Sequence, residues 1–484
     1  MAIKAHLKIL KQEGVDWNKW RREHPSITPD LSKLNIFKHG LGTAVFRGMD
    51  FRSVNFTQTY LHVLDLSLSD FRSANLTETN LTSSNLSKAD LRNATFQGTI
   101  FKLTDLSNAN LAGTDLTKAK FENANLCAAN LENANLRGVD LGGMDLSKAN
   151  LCQADLRGSN LDGTDLSRTN LSEANLSKLD LREVELRTAN LSGAILYETN
   201  LSRLDLRGTK CKGANLTNAD LTETTLVGAN LSGADFSGAN LAKTDFSRAN
   251  LSGAKVTGAN LIGTNFSEAN LNEVDLSGID FSQVILNGVD FTGLNLNKLD
   301  LRKANLSRAN FSGVNLTGKN LSDADLREAN LVKANLCEAN LNRANLSGAD
   351  ITGALLYRVS KYDWRIERIK CDYILWDREG RTPFPQNKNF KTGEFERLFK
   401  EMPTIQIVFD FGVTPLDVFV LGQVVEAINE KRPELELKIE SFNSRGQPHI
   451  NLTVCRDEYC EEALQRELKA AYETEIAHLK QSQV

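Results

Sequence analysis

Long apolar runs are absent from this chain. No stretch approaches the roughly 18 consecutive apolar residues that a membrane-spanning helix needs. The N-terminal sequence MAIKAHLKILKQEG interrupts its apolar residues with Lys and His, and it lacks the apolar core and small-residue cleavage site of a signal peptide. We therefore expect a cytoplasmic protein that has no membrane partner.

An excess of one charge is absent as well. The 484 residues include 57 basic and 61 acidic side chains, for a formal net charge of -4. This balance gives no broad reason to expect nucleic acid as a direct partner. The seven cysteines are scattered: Cys127, Cys152 and Cys337 each follow a repeated Leu, and Cys211 replaces one. We expect reduced cysteines that serve as small apolar or neutral residues.

Catalytic and cofactor motifs are also missing. The sequence has no phosphate-binding loop, no dinucleotide fingerprint and no HExxH. His449, Cys455 and Cys460 lack the fourth ligand and the close CxxC-type pairing of a structural zinc site. Cys371 has no evident His partner that would make it a nucleophile. We therefore expect no catalytic, cofactor-binding or metal-binding residues, and a protein that is not an enzyme.

What the chain has in abundance is a repeat of five residues. From Leu41 to Leu356 every fifth residue is apolar, as in ANLSGADFSGANL at 229–241. The residue two before this central residue is usually small, the residue directly before it is usually Asn or Asp, and two turn-forming residues follow. A period of five matches neither the 3.6 residues of a helical turn nor the alternation of a long strand.

The period does fit a short extended piece followed by a corner. The small and central residues are two apart, so both point inward, and pairs such as Ser-Gly supply the corner. Four corners close a square coil of twenty residues, and successive coils stack at the strand spacing of about 4.8 Å. We expect about sixteen such coils, a mainly β rod roughly 75 to 80 Å long.

These phrases, together with ANLCAANLENANL and ADLREANLVKANLCEANL, resemble the pentapeptide-repeat proteins, whose motif is A-(D/N)-L-x-x. The resemblance covers about two thirds of the chain. It implies a right-handed quadrilateral β-helix. It also implies a range of functions, because some members of that family resemble B-form DNA in outline and bind type II topoisomerases, while most have no assigned activity.

The N-terminal residues do not follow the repeat. Apolar residues at helical spacing predict one helix, and the amphipathic stretch DWNKWRREH predicts a second. Four side chains there fit either a partner site or a lid that covers the first coil and prevents edge pairing: Trp17, Trp20, Arg21 and Arg22. We expect an N-terminal helical cap at 1–35 and the β-helix at 36–358.

Two further segments follow the repeat. We expect a connector at 359–403, with a strand at 369–376 and a short helix, and a small α+β domain at 404–484. The order of elements in that domain is β-α-β-β-α, with the last helix starting near Glu458. DWRIERIKCDYILWD and later stretches are similar to an uncharacterised module that follows pentapeptide arrays in other bacterial proteins. That similarity assigns no chemistry.

Residues twenty apart are expected to stack, which suggests two candidate partner-binding features. Arg52, Arg72 and Arg92 form a basic column that would either bind an anionic partner or be compensated by nearby acids. The acids considered are Asp65, Asp70 and Asp90. Phenylalanines at the same spacing are expected to stack inside the coils instead.

The second feature is a run of branched residues at consecutive small positions: Val274, Ile279, Val284, Val289, Leu294 and Leu299. The coils there must widen or change turn type. Ile285 also replaces the usual outward Asn or Asp, so the run is either an apolar contact face or a repacked interior. Lys319 occupies a small position, and we expect its amine to reach out at a corner.

The sequence supports several functions. The first is a non-catalytic scaffold or protein-interaction module, a rigid β-helical rod that presents the C-terminal domain or docks an unidentified protein partner. The second is a DNA mimic that binds a topoisomerase such as gyrase, although 41–356 contains about 35 acidic and 30 basic side chains. The third assigns the C-terminal domain to homodimerisation, through its hairpin edge or last helix, or to an undetected enzyme.

Overall fold

The computed structural model describes residues 4–11, 14–41, 46–276, 279, 281–294, 296, 299–386, 388–400, 404–408, 415–432, 437–443, 449–453 and 461–481. The chain divides into two compact units, Met1–Leu276 and Ser277–Val484. None of the helices within these described ranges is long and apolar enough to cross a membrane.

The repeat folds into stacked coils of twenty residues. Residues twenty apart pair as parallel β-bridges, for example Asp70 with Asp90 and Asn75 with Thr95. A central residue donates its backbone N–H to the following coil, as Leu86 does to the Asp105 carbonyl at 2.7 Å. Four bridged sides in each coil make it quadrilateral, and the pairing satisfies backbone groups that the stack would otherwise bury unpaired.

Central Leu and Phe side chains fill the interior of the coils, where nearly all of them are fully buried. The phenylalanines expected to stack do so, and this prediction is confirmed. Their ring centroids are 4.5 to 5.4 Å apart in the pairs Phe51–Phe71, Phe101–Phe121, Phe246–Phe266 and Phe291–Phe311. Such offset contacts add to the free energy that apolar burial already supplies.

Threonine is tolerated at the small inward position because its hydroxyl finds a backbone partner. Thr79 donates its Oγ1 hydrogen to the Phe56 carbonyl at 2.8 Å, and Thr99 donates to the Leu76 carbonyl at 2.7 Å. A buried hydroxyl without such a bond would be costly. The interior therefore accepts Ala and Thr at the same position.

The second residue of nearly every described corner adopts the left-handed backbone conformation. Gly233 has a φ of 67° and Gly238 a φ of 69°, and Lys243 reaches 57° at the same position of a later repeat. This conformation costs an L-residue about 1–2 kcal/mol and costs glycine little. Glycine at this position is therefore favourable and not obligatory.

The N-terminal end of the first unit is irregular. Helices α1, Lys4–Leu10, and α2, Gly14–Glu23, precede the coils, and a short 3-10 helix occupies Phe37–His39. Asp30 pairs with Asn55, so the first coil spans twenty-five residues, whereas Asp50 pairs with Asp70 at the regular spacing of twenty. One additional pentapeptide is thus accommodated without any change in the period of five.

In the second unit the coil conformation continues past the boundary at 358 that the sequence predicts. Ser360, Arg365 and Lys370 each pair with the residue twenty earlier, and Leu355 pairs with Leu375. The reason is that the pairing is made by backbone groups, which do not depend on the A-(D/N)-L motif. Ile366, buried at a central position, preserves the interior there.

The connector holds two short strands and a helix. Strand β1, Ile374–Leu375, pairs in antiparallel fashion with β2, Pro383–Phe384. The predicted strand at 369–376 is therefore mostly part of the last coil. Helix α3 spans Glu394–Lys400, in the segment where a short helix was expected.

The remaining elements of the second unit are β3, Thr404–Val408, α4, Pro415–Lys431, β4, Lys438–Asn443, β5, His449–Thr453, and α5, Glu461–Gln481. The strands form an antiparallel sheet in the order β3-β5-β4. Both helices contribute to one core, in which Val420 and Leu468 are buried with Ile450 and Leu452 of the central strand.

Candidate functional site

The residue before each central residue faces outward and organises the corner. Its side-chain oxygen accepts the backbone N–H two residues on, as Asn75 Oδ1 does from Thr77 at 3.1 Å. Asparagines in register also bond to each other, Nδ2 to Oδ1 of the preceding coil, at 2.8 to 3.2 Å along Asn110, Asn130, Asn150, Asn170 and Asn190. Many outward polar groups are therefore already engaged within the coils.

The structure brings Arg52, Arg72 and Arg92 into one column, and their side chains are 42 to 48% exposed. Each guanidinium binds the Asp two residues earlier, at 2.6 to 2.7 Å in the pairs Arg52–Asp50, Arg72–Asp70 and Arg92–Asp90. Arg72 Nε also lies 3.5 Å from the Asp90 carboxylate of the next coil. Basic and acidic groups thus alternate along this face.

The arginines hold these carboxylates in the charged form. Partial burial alone would raise the pKa of Asp90, but hydrogen bonds and charge from Arg92 outweigh it and lower that pKa. The same arrangement recurs at Asp205, where the side-chain hydrogen bond from Arg207 lowers the pKa to about 2 although burial opposes it. Asp65, which the sequence suggested as a compensating acid, instead binds the Ser67 N–H on a neighbouring side of the coil.

The side chains that suggested an N-terminal partner site divide into two groups. Trp17 is fully buried, donates its indole N–H to the Asp50 carbonyl at 2.8 Å and lies 5.9 Å from the Phe51 ring. Arg21 is also buried and donates to the Arg52 carbonyl at 2.7 Å. These two cover the first coil, whereas Trp20 is half-buried and Arg22 is exposed.

In the second unit, α3 covers part of the last coil. Phe395 packs on Trp364 with ring centroids 6.3 Å apart, and Phe399 packs on Trp376 at 5.5 Å. The Glu396 carboxylate accepts the Ile369 N–H at 3.0 Å. The segment that the sequence suggested as a connector therefore also satisfies and shields backbone at that coil.

The run of branched residues lies mostly inside the coils. Val274, Val284, Val289 and Leu299 are buried, and Ile279 and Leu294 are half-buried. A 3-10 helix at Phe281–Gln283 replaces the usual corner, a local change of turn of the kind that the branched residues led us to expect. Ile285 faces outward with 38% of its surface exposed and pairs with Asn305.

Lys319 differs from its expected placement. Its amine does not reach outward to solvent at a corner. It donates to the Leu296 carbonyl at 2.6 Å, in a partly buried position. A carbonyl of the preceding coil is available there because the small position faces inward, and a charged donor makes a strong bond to it.

Among the residues that the structure describes, no group of three or more His, Cys, Asp or Glu side chains could hold a metal ion. Cys455, Cys460 and the side chain of His449 lie outside the described residues. Burial, with a smaller contribution from nearby carboxylates, raises the pKa of Cys371 to about 12, so this thiol is protonated at neutral pH.

A groove of about 610 Å³ lies between α4 and α5. Its lining includes the apolar residues Val424, Ile428 and Ala471. Arg432 lies at its edge and donates hydrogen bonds of 2.6 and 2.7 Å to the Glu467 carboxylate. This ion pair links the residue that follows α4 to α5. It is not a pairing of a nucleophile with a general base.

Sequence reasoning missed three exposed apolar residues at corners of the first unit. Val63, Leu68 and Leu103 occupy the left-handed second corner position, with φ values of 61°, 60° and 55°. Their side chains are 47 to 61% exposed. The signal was present in the sequence as an apolar residue at a position that elsewhere holds Gly or a polar residue.

Comparisons with known proteins agree with the twenty-residue coils. A sequence model described as pentapeptide repeats matches residues 65–102, 104–318 and 320–356, well over half of the chain. No curated protein that was compared is significantly similar in sequence.

Three solved structures illustrate the likeness. HetL, a pentapeptide repeat protein involved in heterocyst differentiation regulation from the cyanobacterium Nostoc sp. strain PCC 7120, is 32% identical over 55% of this chain and 94% of its own, with a TM-score of 0.27. Rfr23 from the cyanobacterium Cyanothece 51142 is 25% identical over 32% and 91%, with a TM-score of 0.12. Full-length QnrB1, a plasmid-mediated fluoroquinolone resistance protein, is 19% identical over 53% and 91%, with a TM-score of 0.14.

These TM-scores are low, so the assignment rests on the repeat itself. The matched segments cover the region in which residues twenty apart pair on four sides of each coil. The pairing makes each coil quadrilateral, and the family match implies that the β-helix is right-handed. The chain belongs to the pentapeptide repeat family.

Proposed function

We propose that this chain is a non-catalytic protein-interaction module of the cytoplasm, whose coils display fixed columns of side chains and carry the C-terminal domain. The observation that supports it most is the mutual bonding of outward groups between coils, as in the asparagine ladder from Asn110 to Asn190. Side chains fixed in this way lose little conformational entropy on binding a partner. Catalysis would instead need groups positioned to exchange protons with a substrate.

The DNA-mimic alternative requires a continuous acidic surface. In the described coils the acidic columns are interrupted, because Arg72 lies between Asp70 and Asp90 and Arg207 binds Asp205. Inhibition of gyrase supercoiling by micromolar protein would favour this alternative over our proposal.

The homodimer alternative rests on the small sheet, whose outer strands are β3 and β4. Edge strands are able to pair with a second copy. Light scattering of the full chain would report a dimer, and loss of that dimer on removal of residues after Lys400 would place it in the C-terminal domain.

One experiment addresses the proposal as a whole. The full chain is screened for hydrolase and transferase activity and used for partner capture, beside a chain that ends at Lys400 and so keeps α3 on the last coil. We expect no turnover, and the same captured protein from both chains if the coils supply the contact. Turnover that a point substitution abolishes would refute the non-catalytic proposal.

A further inference from the structure

We propose that the first coils carry a docking surface for a partner segment whose apolar side chains are bordered by acidic residues. This inference rests on the proposed interaction function and specifies one surface for it. The surface, which we name the corner patch, consists of Phe37, Tyr60, Val63, Leu68 and Leu103.

The corner patch concentrates exposed apolar side chains in a small part of the first unit. Its five residues are 44 to 61% exposed. Phe37 stacks on His62 with ring centroids 4.4 Å apart, directly beside Val63. Leu103 lies two coils above Val63, about 10 Å away at the strand spacing, and Leu68 occupies the next corner of the same coil as Val63. Ser83 lies between Val63 and Leu103 in this column, so the patch is a group of neighbouring exposed apolar side chains. Such a concentration of exposed apolar side chains indicates an interaction surface.

The backbone gives an independent reason to regard these residues as functional. The structure describes 39 non-glycine residues in the left-handed conformation, and the three with large apolar side chains are Val63, Leu68 and Leu103. A β-branched residue in this conformation is a genuine outlier. Gly or Asn would fit these corners with less strain and less exposed apolar surface. The fold therefore does not require apolar side chains at these three corners, and a contact with a partner accounts for their presence.

The charges around the corner patch indicate its occupant. Lys38 follows Phe37, Arg47 lies in the coil below Leu68, and Lys88 lies in the coil above it, all three exposed. Among the described residues, none of them forms an ion pair with a carboxylate. Of the acids near this surface, Asp65 and Asp105 are half-buried and accept N–H groups of their own corners, and the exposed Glu122 is paired with Lys102. An apolar segment bordered by carboxylates therefore complements the patch in both shape and charge.

The test uses a fluorescent helical peptide of about 20 residues, long enough to hold a helix, with Leu at core spacing and Glu elsewhere. A second peptide replaces every Glu with Lys. We expect the full chain to bind the Glu peptide at least about tenfold more tightly than the Lys peptide in fluorescence anisotropy. The variant Val63→Asn, Leu68→Asn, Leu103→Asn should weaken that binding at least about tenfold and remain folded, because Asn tolerates the left-handed conformation.

Two further variants make the result specific. Ile262→Asn removes a distant exposed apolar residue and should leave binding unchanged. The variant Lys38→Glu, Arg47→Glu, Lys88→Glu should reverse the preference toward the Lys peptide.

Several outcomes would overturn the proposal: full binding by the Asn variant, no reversal by the Glu variant, or no binding of the Glu peptide up to about 1 mM. A dimer of the full chain that the Asn variant abolishes would also overturn it, because the occupant would then be a second copy. Substrate turnover that the Asn variant retains would refute the proposed non-catalytic function and leave the peptide result standing.

Discussion

Replacing Gly238 with Ala should destabilise its coil more than the same change at Gly233. Both glycines hold the second corner position of adjacent repeats, with φ values of 69° and 67°. A Cβ atom at Gly233 would meet no atom within 4 Å, whereas a Cβ atom at Gly238 would overlap the Asn218 side-chain oxygen of the preceding coil. The pair therefore separates a backbone effect from a contact effect.

The magnitudes follow from these two differences. An L-residue in the left-handed conformation costs about 1–2 kcal/mol, and the loss of glycine entropy in the unfolded chain returns about 0.4–1 kcal/mol. Gly233→Ala should therefore cost about 0.5–1 kcal/mol. Gly238→Ala should cost about 0.5–1.5 kcal/mol more than Gly233→Ala, because the Asn218 side chain must leave its rotamer.

Hydrogen exchange of amides in 225–245 measures these costs locally, which suits a stack whose coils open independently. We expect exchange to rise about two- to fivefold for Gly233→Ala and clearly more for Gly238→Ala. Unchanged protection at Gly233→Ala would show that the left-handed requirement is incorrect. Equal effects at the two positions would refute the contact with Asn218.

Three other outcomes can be measured directly. Because folding lowers the pKa of Asp205 to about 2, its contribution to stability is complete above pH 4 or so and is lost as the pH falls toward 2. Asp205→Asn should therefore make the free energy of unfolding depend less on pH between about pH 4 and pH 2. Acid titration followed by circular dichroism would show this, and an unchanged pH dependence would contradict the pairing with Arg207. Trp17→Ala should uncover Phe51 and the first coil, so we expect the variant to associate as its concentration rises. Light scattering measures this association, and a molecular mass equal to that of the wild type at every concentration would contradict the prediction. Buried Cys211, whose pKa burial raises to about 11, should be alkylated much more slowly at pH 8 than half-buried Cys152 in mass spectrometry, and equal rates would be inconsistent with its burial.

The interior of the coils was predictable because packing encodes it. Each central residue must fill one position in a column, so the period of five in the sequence leads directly to pairing at twenty and to stacks such as Phe101 on Phe121. The basic column was predictable for the same reason. Its compensation was predicted only in part, since Asp50 belongs to the column and Asp65 does not.

The features that the sequence did not reveal are those that packing does not constrain. The coils continue to Leu375 because backbone pairing needs no particular side chain. The additional pentapeptide before Asp50 is invisible in the sequence because twenty-five is also a multiple of five. Val63 and Leu103 lie at corners, where side chains point away from the interior and almost any residue is compatible with the fold.

The twenty-five-residue first coil shows how length changes affect such a molecule. A gain or loss of twenty residues keeps every later side chain on its original face. Insertion or deletion of a whole coil therefore leaves the arrangement of side chains on the later faces unchanged. A gain of five residues shifts the phase by a quarter turn and moves every residue beyond it to a neighbouring face. The extra pentapeptide lies before Asp50, so only the cap and the start of the first coil precede it. The later coils of the first unit therefore keep one common phase.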